Sequence, residues 1–516
     1  MQKTTFTAQK SLFRAYDIRG AAALFSPAFI TRLAHCLTEH YKNQGGGRLI
    51  IAHDARQDSG RIAHIFADIA TAYKLDVVWL GLGSTPLMAY TAKCHDGHGI
   101  IITASHSPKD ILGIKWLTHN QSPTSDEILA LYQTVANDEN RQTTPLKNPS
   151  FNSPSTRHTA QNAYAHAILS AYHSKKTWSL VVDCLNGVTG ELARAIFSPL
   201  CHQLILLNDT PNGTFPKGNP DPSEPHRLAE LCAAVKKEKA DLGLAFDGDG
   251  DRLAVVDSTG RQLPFDELIY WLAQSAKTPD TPDDATFGTK HHPMPNASLS
   301  RKKILFDVKC SHLLPKLLKK DDFTCVMTKT GSSHLRQALD GEHKDAVFAG
   351  ELSGHFVFND NKALAHDDGI YAAVRLLSWL SVRPPLVVLS QTLPKAIATP
   401  DLYVSLPTHL NSPKFFMNLF SNHIKKVLEH NPNLMMPSFI DGVRMDFESG
   451  FGLVRASNTS DQLTVRLAAD SNKEFSRLVT LLCEFISSIK DTTLPADALA
   501  DFSNALKHTL HRYQTP

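Results

Sequence analysis

Short apolar runs that end in an aspartate recur along the chain: Leu49-Ile50-Ile51-Ala52-His53-Asp54, Leu180-Val181-Val182-Asp183 and Ile304-Leu305-Phe306-Asp307. Runs of this length bounded by polar residues suit buried strands, and three copies predict three similar units. Behind each aspartate the apolar spacing becomes helical, over Ile62 to Lys74, Glu191 to Leu200 and Leu313 to Lys320. A second apolar run follows each helix: Val77 to Leu80, Leu204 to Leu207, or Cys325 to Met327. After another helical stretch a third run arrives, Ile100 to Thr103, Leu242 to Phe246, or Ala346 to Ala349. Strands alternating with helices predict a parallel α/β arrangement. Ligands of open α/β sheets sit beyond the carboxyl ends of the strands. The loops after the third runs, T-A-S-H-S-P, D-G-D-G-D-R and G-E-L-S-G-H, are therefore expected to converge on one cleft.

Asn140 to His158 is rich in Asn, Pro, Ser and Thr and reads as a linker, and Lys277 to Ser300 as a surface insertion. From about Pro400 the pattern changes. Leu402-Tyr403-Val404, Phe439-Ile440, Leu453-Val454 and Leu463 to Leu467 read as strands, Phe475 to Ile489 as a helix, and the residues past Leu494 as a helical tail. The expected division is α/β domain I over 1–152, domain II over 153–262, domain III over 263–384, and a C-terminal α+β domain IV over 385–516. With 516 residues, 42% of them hydrophobic, the chain can fill several cores.

Charge narrows the partners. Lys+Arg 53 against Asp+Glu 51 leaves a formal net charge of +2, without the basic field that nucleic-acid or membrane binding draws on. An anionic ligand must then be held by local groups. The eight cysteines are scattered with no C-x-x-C pair, which reads as reduced thiols. No apolar stretch reaches about 18 residues and no apolar leader core is present, so a cytoplasmic protein is expected.

Asp247, Asp249 and Asp251 alternate with glycines in D-G-D-G-D-R, an oxygen-rich cluster suited to a hard divalent cation. A calcium-binding EF-hand loop is excluded, because Arg252 stands where that loop needs glycine and Ser258 where it needs a glutamate. Ser105 ends a strand-like run in T-A-S-H-S-P. It has no G-x-S-x-G elbow to support a hydrolase triad, and taken alone it reads as a turn or cap serine. A serine that exchanges a phosphoryl group needs a metal to draw charge from the phosphorus oxygens and a cation beside it; the aspartates and Lys115 are the candidates. Arg455-Ala456-Ser457-Asn458-Thr459 gathers a guanidinium, hydroxyls and an amide suited to a phosphate. Glu351 and Ser353 offer acceptors and a donor to vicinal sugar hydroxyls.

Taken together, F-R-A-Y-D-I-R-G (Phe13 to Gly20), T-A-S-H-S-P, D-G-D-G-D-R, D-V-K-C-S (Asp307 to Ser311), G-E-L-S-G-H and R-A-S-N-T resemble, in order and spacing, the α-D-phosphohexomutase superfamily and its bacterial phosphomannomutase/phosphoglucomutase branch. The resemblance spans about residues 10 to 490. It implies three related α/β domains around a central cleft and a fourth, smaller domain. It also implies an isomerase that moves a phosphoryl group between positions 1 and 6 of small-molecule hexose phosphates through a phosphoserine and a 1,6-bisphosphate. By it, Ser105 is the phosphoserine, and Asp247, Asp249 and Asp251 with a Ser105 phosphoryl oxygen hold Mg2+. Arg252 steadies the transferring group, Arg19 and Lys115 aid proton transfer, His106 supports the serine and Tyr16 lies nearby. Lys309, Ser332, Glu351, Ser353 and His355 contact the sugar, and Arg455, Ser457, Asn458 and Thr459 grip the second phosphate. Glucose 1,6-bisphosphate is the implied activator, and a monomer or weak dimer the implied state. The chain departs from the family pattern at Ser107 and Leu112, both usually asparagine, at Ser332, usually histidine, and at Ser460-Asp461, usually Glu-Pro. Phosphoglucosamine mutase and a non-catalytic sugar-phosphate sensor stay open as alternatives.

Overall fold

The computed structural model of the protein describes residues 6–137, 154–277, 302–360, 366–407, 410, 412–457, 461–490 and 497–513. The insertion reading lies outside them from residue 278, and the linker reading as far as residue 153. From Pro154 the expected linker is instead the start of a helix, Pro154–Leu169, with proline at a first-turn position where its missing N–H leaves no bond unmade. The chain forms two compact units, Met1–Ser300 with Arg336–Ser390, and Arg301–Leu335 with Gln391–Pro516.

In the first unit the predicted alternation appears as β2 (Arg48–His53), helix Ser59–Ala72, β3 (Asp76–Leu82), helix Thr85–Lys93 and β4 (Gly99–Ile102). β2 pairs in parallel with both β3 and β4. The apolar pattern missed the strand that comes next. β5 (Ile111–Leu117) returns antiparallel to β4, and β1 (Ile18–Ala21) pairs antiparallel with β5, giving the order β1-β5-β4-β2-β3. A second sheet repeats the plan with β6 (Trp178–Asp183), β7 (Cys201–Leu207), β8 (Leu242–Phe246) and β9 (Leu253–Asp257), in the order β7-β6-β8-β9. β9 is again antiparallel to β8, and β12 (Ala346–Gly350) pairs antiparallel with β13 (Phe356–Phe358). The sheets are therefore mixed rather than parallel. The three polar loops join a strand to its antiparallel return, which a few residues can do and which a parallel crossover cannot.

In the second unit β10 (Lys303–Asp307) and β11 (Thr324–Thr328) pair in parallel across helix Leu313–Lys320. The C-terminal part is an antiparallel sheet of β16 (Met436–Ser438), β17 (Val443–Phe447), β18 (Gly450–Ala456) and β19 (Leu463–Ala469) in sequential order. Short strands β14 (Ile397–Ala398) and β15 (Leu402–Val404) pair with β19. Helices Pro413–His430, Asn472–Ser487 and Ala498–His511 share its apolar core, so the tail helix is packed structure: Phe502, Leu506 and Leu510 are buried with Phe416 and Phe475. Phe439 and Ile440, expected in a strand, lie past the end of β16 and are 38% and 43% exposed. The chain turns there because Gly442 holds a φ of +83°, and a Cβ on it would come within 2.4 Å of the Val454 carbonyl oxygen. All eight cysteines are free. No helix among the described residues is long and apolar enough to cross a membrane.

One buried cap yields a stability prediction. Asp368 caps helix Gly369–Leu380, accepting from the Tyr371 backbone N–H at 2.9 Å and from the Tyr164 hydroxyl at 2.8 Å. Burial pushes its carboxyl up to about 7 from 3.8. The native fold thus binds this proton more tightly than the unfolded chain, so the stabilisation is complete below pH ~4 and is lost as pH rises towards 7. Asp368→Asn is expected to flatten the fall in melting temperature between pH 5 and 8, gaining about 2–4 °C over the parent at pH 8 in circular-dichroism melts.

Candidate active site

The loop between β4 and β5 holds Ser105 at a φ of +53°, a left-handed conformation unusual for a residue with a side chain. Local bonds hold it there. The Ser105 N–H donates to Thr103 Oγ1 at 2.9 Å, and its carbonyl accepts from Arg56 Nη2 at 3.0 Å. Arg56 also reaches the Ser107 carbonyl and forms a buried ion pair with Asp54, the aspartate that ends the first apolar run. Asp54 in turn accepts from the Ser59 hydroxyl at 2.6 Å. Asp54 and Arg56 are thus a brace under the serine loop that the sequence reading did not find.

The D-G-D-G-D-R loop joins β8 to β9 against this serine. Asp247 Oδ1 closes the turn by accepting from the Gly250 and Arg252 N–H groups at 3.0 and 3.1 Å. Gly248 allows the approach, because a Cβ there would stand 2.6 Å from the Ser105 carbonyl oxygen. The Ser105 hydroxyl donates to Asp247 Oδ2 at 2.5 Å. Asp249 Oδ2 accepts from Thr85 Oγ1 at 2.5 Å and from Lys115 Nζ at 2.9 Å, and Lys115 Nζ lies 2.6 Å from Asp251 Oδ2. Thr85, at the start of its helix, is a second residue missed from sequence. Its contact with Asp249 spans 164 positions, beyond the reach of any local pattern.

Three buried carboxylates with ligand atoms within 4.8 Å of one another are costly without a cation. Asp249 Oδ1 and Asp251 Oδ1 are buried and have no hydrogen-bond partner among the described residues. Burial, then Asp251 and Asp249, push Asp247 well above the usual carboxylate range. Burial acts the same way on Asp249, but Lys115 and the Thr85 hydrogen bond outweigh it and hold that carboxyl below its ordinary value. Lys115, and Arg252 at 3.9 Å from Asp247 Oδ2, set two cations against three acids, and Arg252 is shared with Asp221. The residues present therefore fit a hard divalent ion.

Arg252 links the remaining loops. Its Nη2 donates to His106 Nδ1 at 2.7 Å, its Nε to His355 Nε2 at 3.1 Å, and its Nη1 lies 3.6 Å from Asp221 Oδ1. Burial first, and Arg252 second, lower His106 well below the ordinary histidine value, so its ring is neutral. His106 Nδ1 is 3.2 Å from the Ser105 hydroxyl. His355 and Glu351 close the β12–β13 turn through a backbone bond of 2.9 Å with Ser353 between them, and the Leu253 N–H reaches the Gly354 carbonyl at 3.0 Å. The three loops thus meet in one place, as expected. Arg19 on β1 pairs with Asp17 and donates to Ser107 Oγ at 3.3 Å. Tyr16 stands beside it, its hydroxyl shifted upwards by burial and then by Asp17.

In the second unit Lys309 Nζ lies 3.0 Å from Asp401 Oδ2. Arg455 on β18 is buried and held side-on by Asp441, through Nε at 3.0 Å and Nη2 at 3.2 Å. Asp441 also accepts from the Thr330 N–H at 3.1 Å, joining the arginine to the loop that precedes Ser332. The Ser457 N–H donates to the Gln462 carbonyl at 2.8 Å. Asn458 and Thr459 lie outside the described residues.

Residues 10–142, 162–260 and 288–397 match the phosphoglucomutase/phosphomannomutase family, as its alpha/beta/alpha domains I, II and III. The chain is 30% identical over 472 residues to a phosphoglucomutase of Neisseria gonorrhoeae, covering 91% of this chain and 95% of that protein. It is 30% identical over 493 residues to a phosphomannomutase/phosphoglucomutase of Pseudomonas aeruginosa, covering 95% and 98%. A solved structure of a phosphoglucomutase/phosphomannomutase family protein from Burkholderia thailandensis superposes with a TM-score of 0.77 at 28% identity, covering 93% of this chain and 98% of that one. With the serine, the acid cluster and the α/β units in place, these matches show that the chain belongs to the phosphoglucomutase/phosphomannomutase family, within the α-D-phosphohexomutase superfamily, and is a mutase.

Proposed function

We propose that the enzyme interconverts hexose 1-phosphates and hexose 6-phosphates of both glucose and mannose, with Ser105 as the phosphoryl carrier. The observation that supports this most is the Ser105 hydroxyl 2.5 Å from Asp247 beside two further buried aspartates. Asp247, Asp249, Asp251 and a Ser105 oxygen would hold Mg2+, which when bound draws charge from the phosphorus oxygens. Phospho-Ser105 gives its phosphoryl group to the free hydroxyl of a bound hexose phosphate: the serine O–P bond breaks, a sugar O–P bond forms, and the proton lost by the sugar hydroxyl ends on the released Ser105 oxygen. The resulting 1,6-bisphosphate turns round, and Ser105 takes back the other phosphoryl group. Glucose 1,6-bisphosphate would charge an unphosphorylated Ser105 by the same step in reverse.

Arg252 and Arg19 stabilise the charge on the moving group. Lys115 is held protonated, because Asp249 and Asp251 outweigh the effect of its burial. It therefore serves as a fixed cation that, with Arg19, aids proton transfer through its charge. His106 supports the serine, and Tyr16 walls the site. Lys309, Ser332 and His355 contact the sugar, and Arg455, Ser457, Asn458 and Thr459 hold the phosphate that is not being transferred; a dianion is presented to them in either orientation, so one loop serves both half-reactions.

Glu351 and Ser353 are proposed to read the vicinal hydroxyls O3 and O4. C2, where glucose and mannose differ, is then left uninspected. Coupled assays on the two 1-phosphates are expected to give kcat/KM values within about tenfold of each other, a difference below 1.4 kcal/mol. A ratio far from unity contradicts this sugar reading, and turnover of glucosamine 6-phosphate well above glucose 1-phosphate overturns the assignment in favour of an amino-sugar mutase.

A further inference from the structure

We propose that Asp367 is a positioning residue that fixes the tautomer and ring plane of His355, and through it the arginine at the reacting centre. The geometry starts from Arg252, whose Nε–H donates to His355 Nε2 at 3.1 Å. A guanidinium has donors only, so this ring nitrogen must present its lone pair. The proton of the neutral imidazole is then on Nδ1, and Nδ1 lies 2.7 Å from Asp367 Oδ2, with Asp251 Oδ1 farther away at 3.6 Å. A carboxylate on one ring nitrogen that sets what the other can do is a recurring way of orienting an active-site histidine.

Asp367 is itself held. It is fully buried, and its Oδ1 forms an ion pair with Arg336, whose Nη2 donates to Ser122 Oγ at 2.7 Å. His366 Nδ1 adds a contact at 3.1 Å on the same oxygen. Its neighbour Asp368 turns the other way, to Tyr164 and the helix start. A continuous line of contacts, buried except at its half-buried ends, therefore runs from Ser122 through Arg336, Asp367, His355 and Arg252 to His106, which ends 3.2 Å from the Ser105 hydroxyl. Without the carboxylate nothing favours the proton on Nδ1, and a proton on Nε2 sets N–H against the Arg252 N–H, a buried clash of donors that would turn the guanidinium away. The trio Asp251, His355 and Asp367 also lies within cation-ligating distance. Arg336 already balances Asp367, however, and Arg252 already uses the other ring nitrogen, so the contact of the carboxylate with Nδ1, at ion-pair distance though not aligned as a hydrogen bond, accounts for the ring's position without an ion.

This inference rests on the proposed placing of Arg252 beside the transferred phosphoryl group and of His355 at the sugar, and the test separates the two. Full-length Asp367→Asn, His355→Asn and the double variant are assayed with saturating hexose phosphate, Mg2+ and glucose 1,6-bisphosphate. Asp367→Asn is expected to lower kcat about tenfold with KM within about twofold, and to cost less than about twofold more when added to His355→Asn. Full activity of Asp367→Asn, or losses that multiply in the double variant, overturns the positioning role while leaving the site reading intact. Full activity of His355→Asn overturns the site reading itself. A readout that needs no Asp367 variant is the 15N spectrum of histidine-labelled parent enzyme, with His355 assigned by its disappearance in His355→Asn. The Nδ1–H tautomer is expected, and an Nε2–H tautomer overturns the proposal.

Discussion

Replacing Ser105 with alanine is expected to lower kcat by at least about 10³, a loss of about 4 kcal/mol of transition-state stabilisation, while hexose phosphate binding in titration calorimetry stays within about threefold. The loss is large because covalent transfer splits one difficult step into two, and no other side chain can take over the carrier role from the same place. His106, the adjacent group, is neutral and already accepts from Arg252. Binding is spared because the proposed phosphate and sugar contacts come from other loops. The fold is spared as well, because Arg56 grips the backbone carbonyl at position 105 and not its hydroxyl. A variant that keeps near-parental turnover contradicts the carrier role, and unchanged melting curves exclude unfolding as the cause of a loss.

Chelation with excess EDTA is expected to reduce turnover to background, with Mg2+ restoring it. Asp249→Ala is expected to lose about 10²- to 10³-fold in kcat even at saturating Mg2+. The sign follows from the arrangement of oxygens. Thr85 and Lys115 both tie down Asp249 Oδ2, Lys115 ties down Asp251 Oδ2, and the second oxygen of each acid is left buried without a hydrogen-bond donor among the described residues. Removing Asp249 also releases Lys115 to pair with Asp251 alone, so the ammonium competes for the ion's place. Turnover that persists in EDTA at the parental rate contradicts a metal role for the cluster.

The first and third apolar runs of each unit were legible because buried strands leave uninterrupted hydrophobic stretches, and the loops behind them carried their chemistry in contiguous motifs. The antiparallel returns were not. β5 reads I-L-G-I-K-W-L, broken by Gly113, where a Cβ would meet the Thr103 carbonyl oxygen at 2.4 Å, and by Lys115, which faces the acids. Function thus interrupts the periodicity that would have announced the strand. Phe439 and Ile440 failed in the opposite sense, as an apolar pair used in a turn. Arg56, Thr85 and Asp367 were invisible for a third reason: they act on residues distant in sequence, as in the 49-position span from Arg56 to Ser105. Only folding brings such a brace under its loop.

The decisive measurement is the position of the phosphoryl group on the enzyme. After incubation with glucose 1,6-bisphosphate and Mg2+, proteolysis and mass spectrometry are expected to find one phosphoryl group, on Ser105 in the T-A-S-H-S-P peptide. Active enzyme whose Ser105 stays unmodified would contradict the phosphoserine mechanism.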